Sequence, residues 1–284
     1  MTAVKAYAAL SPATALEPFQ FERRALKPHD VLIEILFSGV CHSDLHQARD
    51  EWGGSIYPMV PGHEIVGKVV LVGEHVKKFK AGDTAGVGVM VDSCRECKPC
   101  NDLLEQYCVE GMTGTYNNYE RDKSAIAQGG YSTMIVTDER YVYHVSGQLS
   151  LPGVAPLLCA GITTYSPLKF AGVKAGDKVA IAGLGGLGHM AVKFAVAMGA
   201  EVTMLSTSPS KEADARKLGA HHFVLSTDAE AMAKLDSRFD VVVDAISASH
   251  DYEIYLKLLA LHGKLLVVGL PSKQPQVNPF ELIK

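Results

Sequence analysis

Apolar and polar positions follow two different rhythms along the chain. Up to about residue 150, short β-branched runs are separated by Gly- and Pro-rich turns. Val31–Leu36, Ile65–Val72, Ala85–Val91 and Tyr131–Val136 read as irregular strands, with turn signals such as Pro61-Gly62 and Ala81-Gly82-Asp83 between them. From Leu151 onward the apolar runs alternate with helical stretches. Val179–Ala182, Val202–Leu205, Phe223–Leu225, Val241–Asp244 and Leu265–Val268 predict strands, and Gly188–Met198 and Lys211–Leu218 predict helices. Such alternation predicts a parallel, doubly wound α/β sheet. The pattern therefore divides the chain into a β-rich domain over 1–150 and a doubly wound domain over 151–284.

Composition agrees with two folded domains. At about 150 residues per domain, 284 residues suggest two, and 48% hydrophobic residues can bury a real core, which excludes disordered and fibrous classes. Lys plus Arg is 27 and Asp plus Glu is 31, a net charge of −4, with no basic block, which argues against a nucleic-acid surface. No run approaches the ~20 apolar residues of a membrane span; Val31–Phe37 is short and holds Glu34. Residues 1–19 lack a basic start followed by an apolar run, so no secretory signal and a cytoplasmic location are expected. Six cysteines in such a chain point to metal binding rather than disulfides.

The first candidate chemistry is a glycine turn. Val179–Ala182 is followed by Gly183-Leu184-Gly185-Gly186-Leu187-Gly188 and then by a helix. A G-x-G-x-x-G run that leaves a strand and opens a helix predicts a dinucleotide site. Gly183 permits the tight turn, Gly185 lets the backbone approach a pyrophosphate, and Gly188 lets helix and strand pack closely. The helix N-terminus offers free N–H groups to phosphate. The second strand ends in Ser206-Thr207-Ser208, with Lys211 nearby and no carboxylate. Two hydroxyls and an ammonium suit a 2′-phosphate, so NADP is expected rather than NAD. A complete dinucleotide-binding sheet of this kind has six strands, and five are read here.

The cysteines form the second candidate. Cys94-x-x-Cys97-x-x-Cys100-x7-Cys108 places four thiols in one lobe, about residues 92–110, flanked by Asp92, Glu96, Asp102 and Glu105. Four thiolates close a tetrahedral zinc and leave no position for substrate, so a structural zinc is expected, with an iron–sulfur cluster and chance clustering as the alternatives. Cys41 and Cys159 remain. With His63 they would give two thiolates and one imidazole, a neutral zinc set with one open position. Spacing alone leaves the reading of small buried thiols and a core histidine open.

The stretches Gly39-Val-Cys-His-Ser-Asp-Leu-His46, Tyr57-Pro-Met-Val-Pro-Gly-His-Glu-Ile-Val-Gly67, the four-cysteine lobe, Ala155–Leu168 and the glycine turn together resemble the zinc-containing medium-chain alcohol dehydrogenases. Within them, the resemblance is to the NADP-dependent cinnamyl alcohol dehydrogenase branch. Gly62-His63-Glu64-x2-Gly67-x5-Gly73-x2-Val76 matches the family's zinc signature at every fixed position, and the resemblance runs from about Lys5 to the last residue. It implies a GroES-like catalytic domain, a Rossmann domain, and two zinc ions per chain, one catalytic and one structural. Cys41, His63 and Cys159 are implied as ligands of the catalytic zinc, with Glu64 as a carboxylate that can approach it. Ser43 would hydrogen-bond the substrate oxygen, His46 would pass the proton outward, and Asp44 would support that relay. Thr163 would lie near the cofactor, and Ser206, Thr207 and Lys211 match the branch's 2′-phosphate contacts. Trp52 is a candidate wall of the substrate pocket or a packed loop residue.

The resemblance implies a small-molecule alcohol or aldehyde as substrate and a homodimer at full length. Family members continue past this C-terminus, so the sixth strand and the return to the catalytic domain are expected to be missing. Three other readings stay open on sequence: a truncated, non-catalytic NADPH- and zinc-binding remnant, an NAD-dependent polyol or secondary-alcohol dehydrogenase, and a zinc-ribbon nucleic-acid binder. The neutral Ser206-Thr207 strand end disfavours the second, and the acidic residues around the lobe disfavour the third.

Overall fold

The computed structural model describes residues 2–271 and 275–283; the end residues of the two expected domains, Met1 and Lys284, lie outside them. The chain forms two compact units, Met1–Cys159 and Ala160–Lys284, dividing nine residues beyond the expected boundary.

The first unit is a curled antiparallel structure of short strands. β1 (Thr2–Ala8) pairs with β2 (Glu17–Arg23). A five-stranded sheet is built from β3 (Asp30–Ser38), β4 (Ile65–Val72), β5 (Thr84–Val87), β10 (Met134–Asp138) and β11 (Val142–His144), in the order β10-β3-β4-β5-β11. Its core is Val31, Ile33, Ile65, Val69, Ala85, Val87, Ile135 and Val142. The alternation of buried and exposed residues is broken by bulges in the β3–β4 pair, which bend the sheet. The run expected as one strand, Ala85–Val91, is two: β5 and β6 (Met90–Asp92). The break falls where Gly88 passes against the Leu158 carbonyl, too close to leave room for a Cβ. The strand expected to begin at Tyr131 begins at Met134, because Tyr131 is bonded across to Tyr7 and Pro61 instead.

Between β3 and β4 lies a helix the strand pattern did not announce, α1 (His42–Ala48). Between β6 and β7 (Thr113–Gly114) the cysteine lobe carries a short helix, α2 (Lys98–Asn101). β8 (Asn118–Tyr119) and β9 (Ile126–Ala127) form a small hairpin. Helix α3 (Leu151–Val154) and a 3-10 turn, Ala155–Leu158, deliver Cys159.

The second unit opens with α4 (Ala160–Ala171) and is otherwise alternating. Strands β12 (Lys178–Ala182), β13 (Glu201–Ser206), β14 (His222–Leu225), β15 (Phe239–Asp244) and β16 (Leu259–Val267) form a parallel sheet in the order β14-β13-β12-β15-β16. Helices α5 (Gly186–Ala197), α6 (Glu212–Lys217), α7 (Ala229–Ala233) and α8 (Glu253–Leu256) connect them. Both faces of the central strands are covered, which is why they read as unbroken apolar runs: Val179, Ala180, Ile181 and Ala182 are all fully buried. The expected helices shift slightly. α5 starts at Gly186 rather than Gly188, and Lys211 ends a 3-10 turn, Pro209–Lys211, just before α6.

Candidate active site and metal centres

Cys41 stands at the N-cap of α1, where a hydroxyl residue is usual. The third helical residue, Asp44, reaches back and its Oδ2 accepts the Cys41 backbone N–H at 3.0 Å. Asp44 is buried, and its carboxylate accepts three further bonds. Oδ1 takes the Gly62 N–H and His63 Nδ1, both at 3.0 Å, and Oδ2 takes the Tyr131 hydroxyl at 2.9 Å. Burial pushes this carboxyl up, but His63 and the other donors prevail and hold it below the usual range. Gly62 adopts φ +103, and a Cβ there would strike Tyr131 and Gly130. That backbone turn aims His63 from the loop before β4.

With Nδ1–H bound to Asp44, His63 turns Nε2 toward Cys159, 3.1 Å from its sulfur. The Cys41 and Cys159 sulfurs are 3.9 Å apart. A tetrahedral zinc with bonds of about 2.3 Å spaces its sulfur ligands by about 3.8 Å, so the pair is set as zinc ligands are. One ligand atom from each of Cys41, His63, Glu64 and Cys159 lies within 4.8 Å of the others. The Cys41 thiol is held well below its ordinary value by bonds from Cys159, His63 and Ser43, while Cys159 is pushed up by Cys41 and by burial. Two soft sulfurs, an imidazole fixed in its tautomer by a carboxylate, and a buried acid nearby are the donors zinc prefers.

Ser43 occupies the first turn of α1, two residues past Cys41, and helps to hold the Cys41 thiol down. His46 lies one turn on. Its Nδ1 is 2.5 Å from Glu51 Oε2, and its ring stacks between Trp52, at 4.9 Å, and His42, at 5.6 Å. Its Nε2 is buried and unpartnered. Glu51 is a residue that spacing did not single out. It reaches His46 because Asp50, at φ +55, turns the chain back and sets the Glu51 N–H on the His46 carbonyl at 2.9 Å. Trp52 is thereby a wall beside the His46 ring. Asp44 is placed differently from expectation: its hydrogen bonds run to Cys41, Gly62, His63 and Tyr131, so it sits behind His63 and not in line with His46.

The lobe gathers the other four thiols. Cys94, Cys97, Cys100 and Cys108 bring their sulfurs within 4.8 Å of one another. Cys97 and Cys100 are 3.4 Å apart and Cys94 and Cys100 3.8 Å, again near a tetrahedral edge. Backbone N–H groups of Val109 and Cys100 draw the Cys97 thiol down to about 6. The acidic flank is partly neutralised: Arg95 bonds Asp92 and Asp138, and Lys98 pairs with Asp102. Arg95 thus ties the lobe to the end of β10.

In the second unit the glycine turn closes around a tight contact. A Cβ on Gly188 would lie 1.8 Å from the Gly183 carbonyl oxygen, so α5 approaches the strand end only with glycine there. Nothing lies within 4 Å of where a Gly185 Cβ would stand, which leaves the α5 N-terminus open to a ligand. A cavity of about 630 Å³ beside it is lined by Leu184, Gly185 and Gly186 and by His189, Lys193, Lys211, Asp214 and Lys217. Lys193 and Lys217 are cations the sequence reading passed over. They come from α5 and α6, which are neighbours only in the folded sheet. Ser206 ends β13 with its hydroxyl accepting the Ser208 N–H at 3.2 Å, Thr207 is exposed beside it, and Leu187 and Thr163 are half-buried in the first turns of α5 and α4. This donor set suits a phosphate-bearing dinucleotide.

Two family models match the chain: an alcohol dehydrogenase GroES-like domain over residues 27–147 and a zinc-binding dehydrogenase over residues 186–284. The NADP-dependent alcohol dehydrogenase C 1 of Mycolicibacterium smegmatis is 51% identical over 284 residues, 100% of this chain and 81% of that protein. A cinnamyl alcohol dehydrogenase structure from Sorghum bicolor superposes with TM-score 0.96 at 43% identity, covering 99% of this chain and 80% of the other. The structure of CAD from Helicobacter pylori complexed with NADP(H) gives TM-score 0.93 at 46% identity, with 99% and 80% covered.

Proposed function

The chain belongs to the zinc-containing alcohol dehydrogenases, and on that premise we propose that it interconverts aldehydes and primary alcohols with NADP(H), acting chiefly as an aldehyde reductase. The observation that carries this reading is the convergence of Cys41, His63, Glu64 and Cys159, four residues from three separate segments, on one point. When bound there, zinc supplies a Lewis acid for the substrate oxygen, and NADPH supplies the hydride.

The chain's own residues do the rest. Cys41, His63 and Cys159 hold the metal, and Asp44 holds His63. The two thiolates balance the 2+ charge, so the site accepts a neutral aldehyde. Ser43 donates its hydroxyl proton to the substrate oxygen and is reprotonated by His46, since a hydroxyl both donates and accepts. Glu51 only accepts, which keeps the proton on His46 Nδ1 and makes Nε2 the nitrogen that exchanges with the relay. Cys94, Cys97, Cys100 and Cys108 hold the structural zinc, a closed set that braces the lobe. Gly183–Gly188 and Thr163 receive the pyrophosphate side of the cofactor, and Ser206, Thr207 and Lys211 its 2′-phosphate, with Lys193 and Lys217 adding positive charge.

The finer readings follow from the same features. The homodimer belongs to the full-length protein, since β16 is the strand beside which the expected sixth strand would pair. A cytoplasmic location suits six cysteines that are all free and gathered into metal sets. Among the described residues no helix is long and apolar enough to cross a membrane.

The test is reduction of aromatic and aliphatic aldehydes by the zinc-loaded chain with NADPH and NADH at equal concentration. NADPH should be preferred by roughly tenfold or more, and Lys211→Ala should narrow that gap, since one charge-assisted contact is worth about that ratio. Equal use of the two cofactors by the wild type would overturn the NADP assignment.

A further inference from the structure

A buried charge in the second unit takes no part in the steps above. Asp244 ends β15 and is wholly buried. Its Oδ1 accepts the Ile246 N–H at 3.0 Å, and its Oδ2 lies 2.8 Å from Nε2 of His250. The other ring nitrogen, Nδ1, lies 2.8 Å from the Ala248 carbonyl oxygen. The ring thus bridges two groups of one segment, the Asp244 carboxyl and the Ala248 carbonyl, through its two nitrogens. Among the described residues no lysine or arginine pairs with Asp244, and His250 is the side chain that reaches it. Tyr252 and Tyr255 enclose the ring, at 4.8 and 5.6 Å. Burial and the Asp244 charge push the Tyr255 hydroxyl up to about 12, and the same two causes raise Tyr252, so both stay neutral.

The position of this crosslink gives it a use. β12 has β13 on one side and β15 on the other, so a crevice opens beyond the C-terminal ends of β12 and β15, where open parallel sheets bind ligands. The glycine turn is one lip. The segment after β15 is the other: Ala245 donates its N–H to the Ala182 carbonyl at 3.0 Å, and Ile246 Cγ1 lies 3.0 Å from where a Gly183 Cβ would stand. Asp244 fixes this segment at Ile246, and His250 fixes it at Ala248.

We propose that His250 is a positioning residue for the dinucleotide: bridging Asp244 and the Ala248 carbonyl, it holds the 245–248 segment as the second lip of the crevice against the glycine turn. The inference rests on the cofactor reading above. His250→Phe keeps a ring against Tyr252 and Tyr255 and removes both nitrogens; His250→Gln restores a polar group. NADPH and NADH affinities are read by fluorescence titration, with kcat, both KM values and zinc content on the same preparations. H250F should weaken NADPH binding roughly tenfold and raise its KM alike. It should leave kcat, aldehyde KM and zinc content within about twofold, the precision expected where no contact is lost. H250Q should recover part of the loss. H250F binding NADPH as the wild type does, or H250Q binding it no better than H250F, would overturn the proposal. A wild type that itself binds neither NADPH nor NADH would instead defeat the cofactor reading on which it rests.

Discussion

Asp44 gives one buried carboxylate to four donors: the N–H of the N-cap cysteine, the N–H of Gly62, the ring of His63 and the Tyr131 hydroxyl. Asp44→Asn retains the volume but removes the charge, and an amide nitrogen cannot accept. His63 then loses its fixed tautomer. The expected result is a 10- to 100-fold weaker hold on zinc at the Cys41 site, the range typical of residues that orient metal ligands. The lobe zinc should stay, so chelator competition should show one weakened metal of two; two unchanged metals would remove this role. At this scale the candidate ligand set was suggested by the recognisable spacing around His63, whereas Cys41 and Cys159 gave little signal by themselves. Glu51 was hidden for a different reason. It lies five residues past His46, out of helical register, and meets it only through the left-handed turn at Asp50.

Helix α5 depends on a contact between backbones. A methyl on Gly188 would overlap the Gly183 carbonyl at 1.8 Å, so Gly188→Ala must push the helix from the strand end. Overpacking of this kind costs about 1–3 kcal/mol, which should appear as a lower Tm together with loss of NADPH binding. Gly185→Ala, at an open position, should cost less stability. Between β10 and β11, Glu139 accepts the backbone N–H groups of Lys77 and Lys78 at 2.9 and 2.7 Å. Burial raises its pKa, but these two donors and His29 overcome that, so the folded value lies below the ordinary one. Its stabilising contribution is therefore complete above an unfolded pKa of about 4.3 and fades as pH falls through the folded value. Glu139→Gln should lower Tm at pH 7 and converge on the wild type in acid; an equal deficit at pH 3 would contradict this. The parallel strands were readable because burial on both faces leaves uninterrupted apolar runs. α1 was not, because its cap is a thiol in place of a hydroxyl. The start of β16 was obscured by a register shift and by exposed His262 and half-buried Gly263.

Across the whole molecule, two units each carry a site that stands within its own residues. The first holds both cysteine sets, and the second holds the glycine turn and its cationic cavity. The two-domain pattern was legible because the rhythm of apolar residues changes near residue 150, while the division itself falls after Cys159, at a 3-10 turn with no composition signal. The lysines of α5 and α6 were invisible in chain order for the same reason that separates them in sequence: only a parallel crossover brings those helices together. The central claim is that the chain's chemistry runs on the Cys41, His63 and Cys159 metal set. The most direct measurement is NADPH-dependent aldehyde reduction against zinc content for the wild type and Cys159→Ser, each folded and with the lobe zinc in place. The account predicts turnover by the wild type with two zinc ions bound, and its loss in C159S with one. Undiminished turnover in C159S, or none from a wild type that holds both zinc ions and binds NADPH, would contradict it.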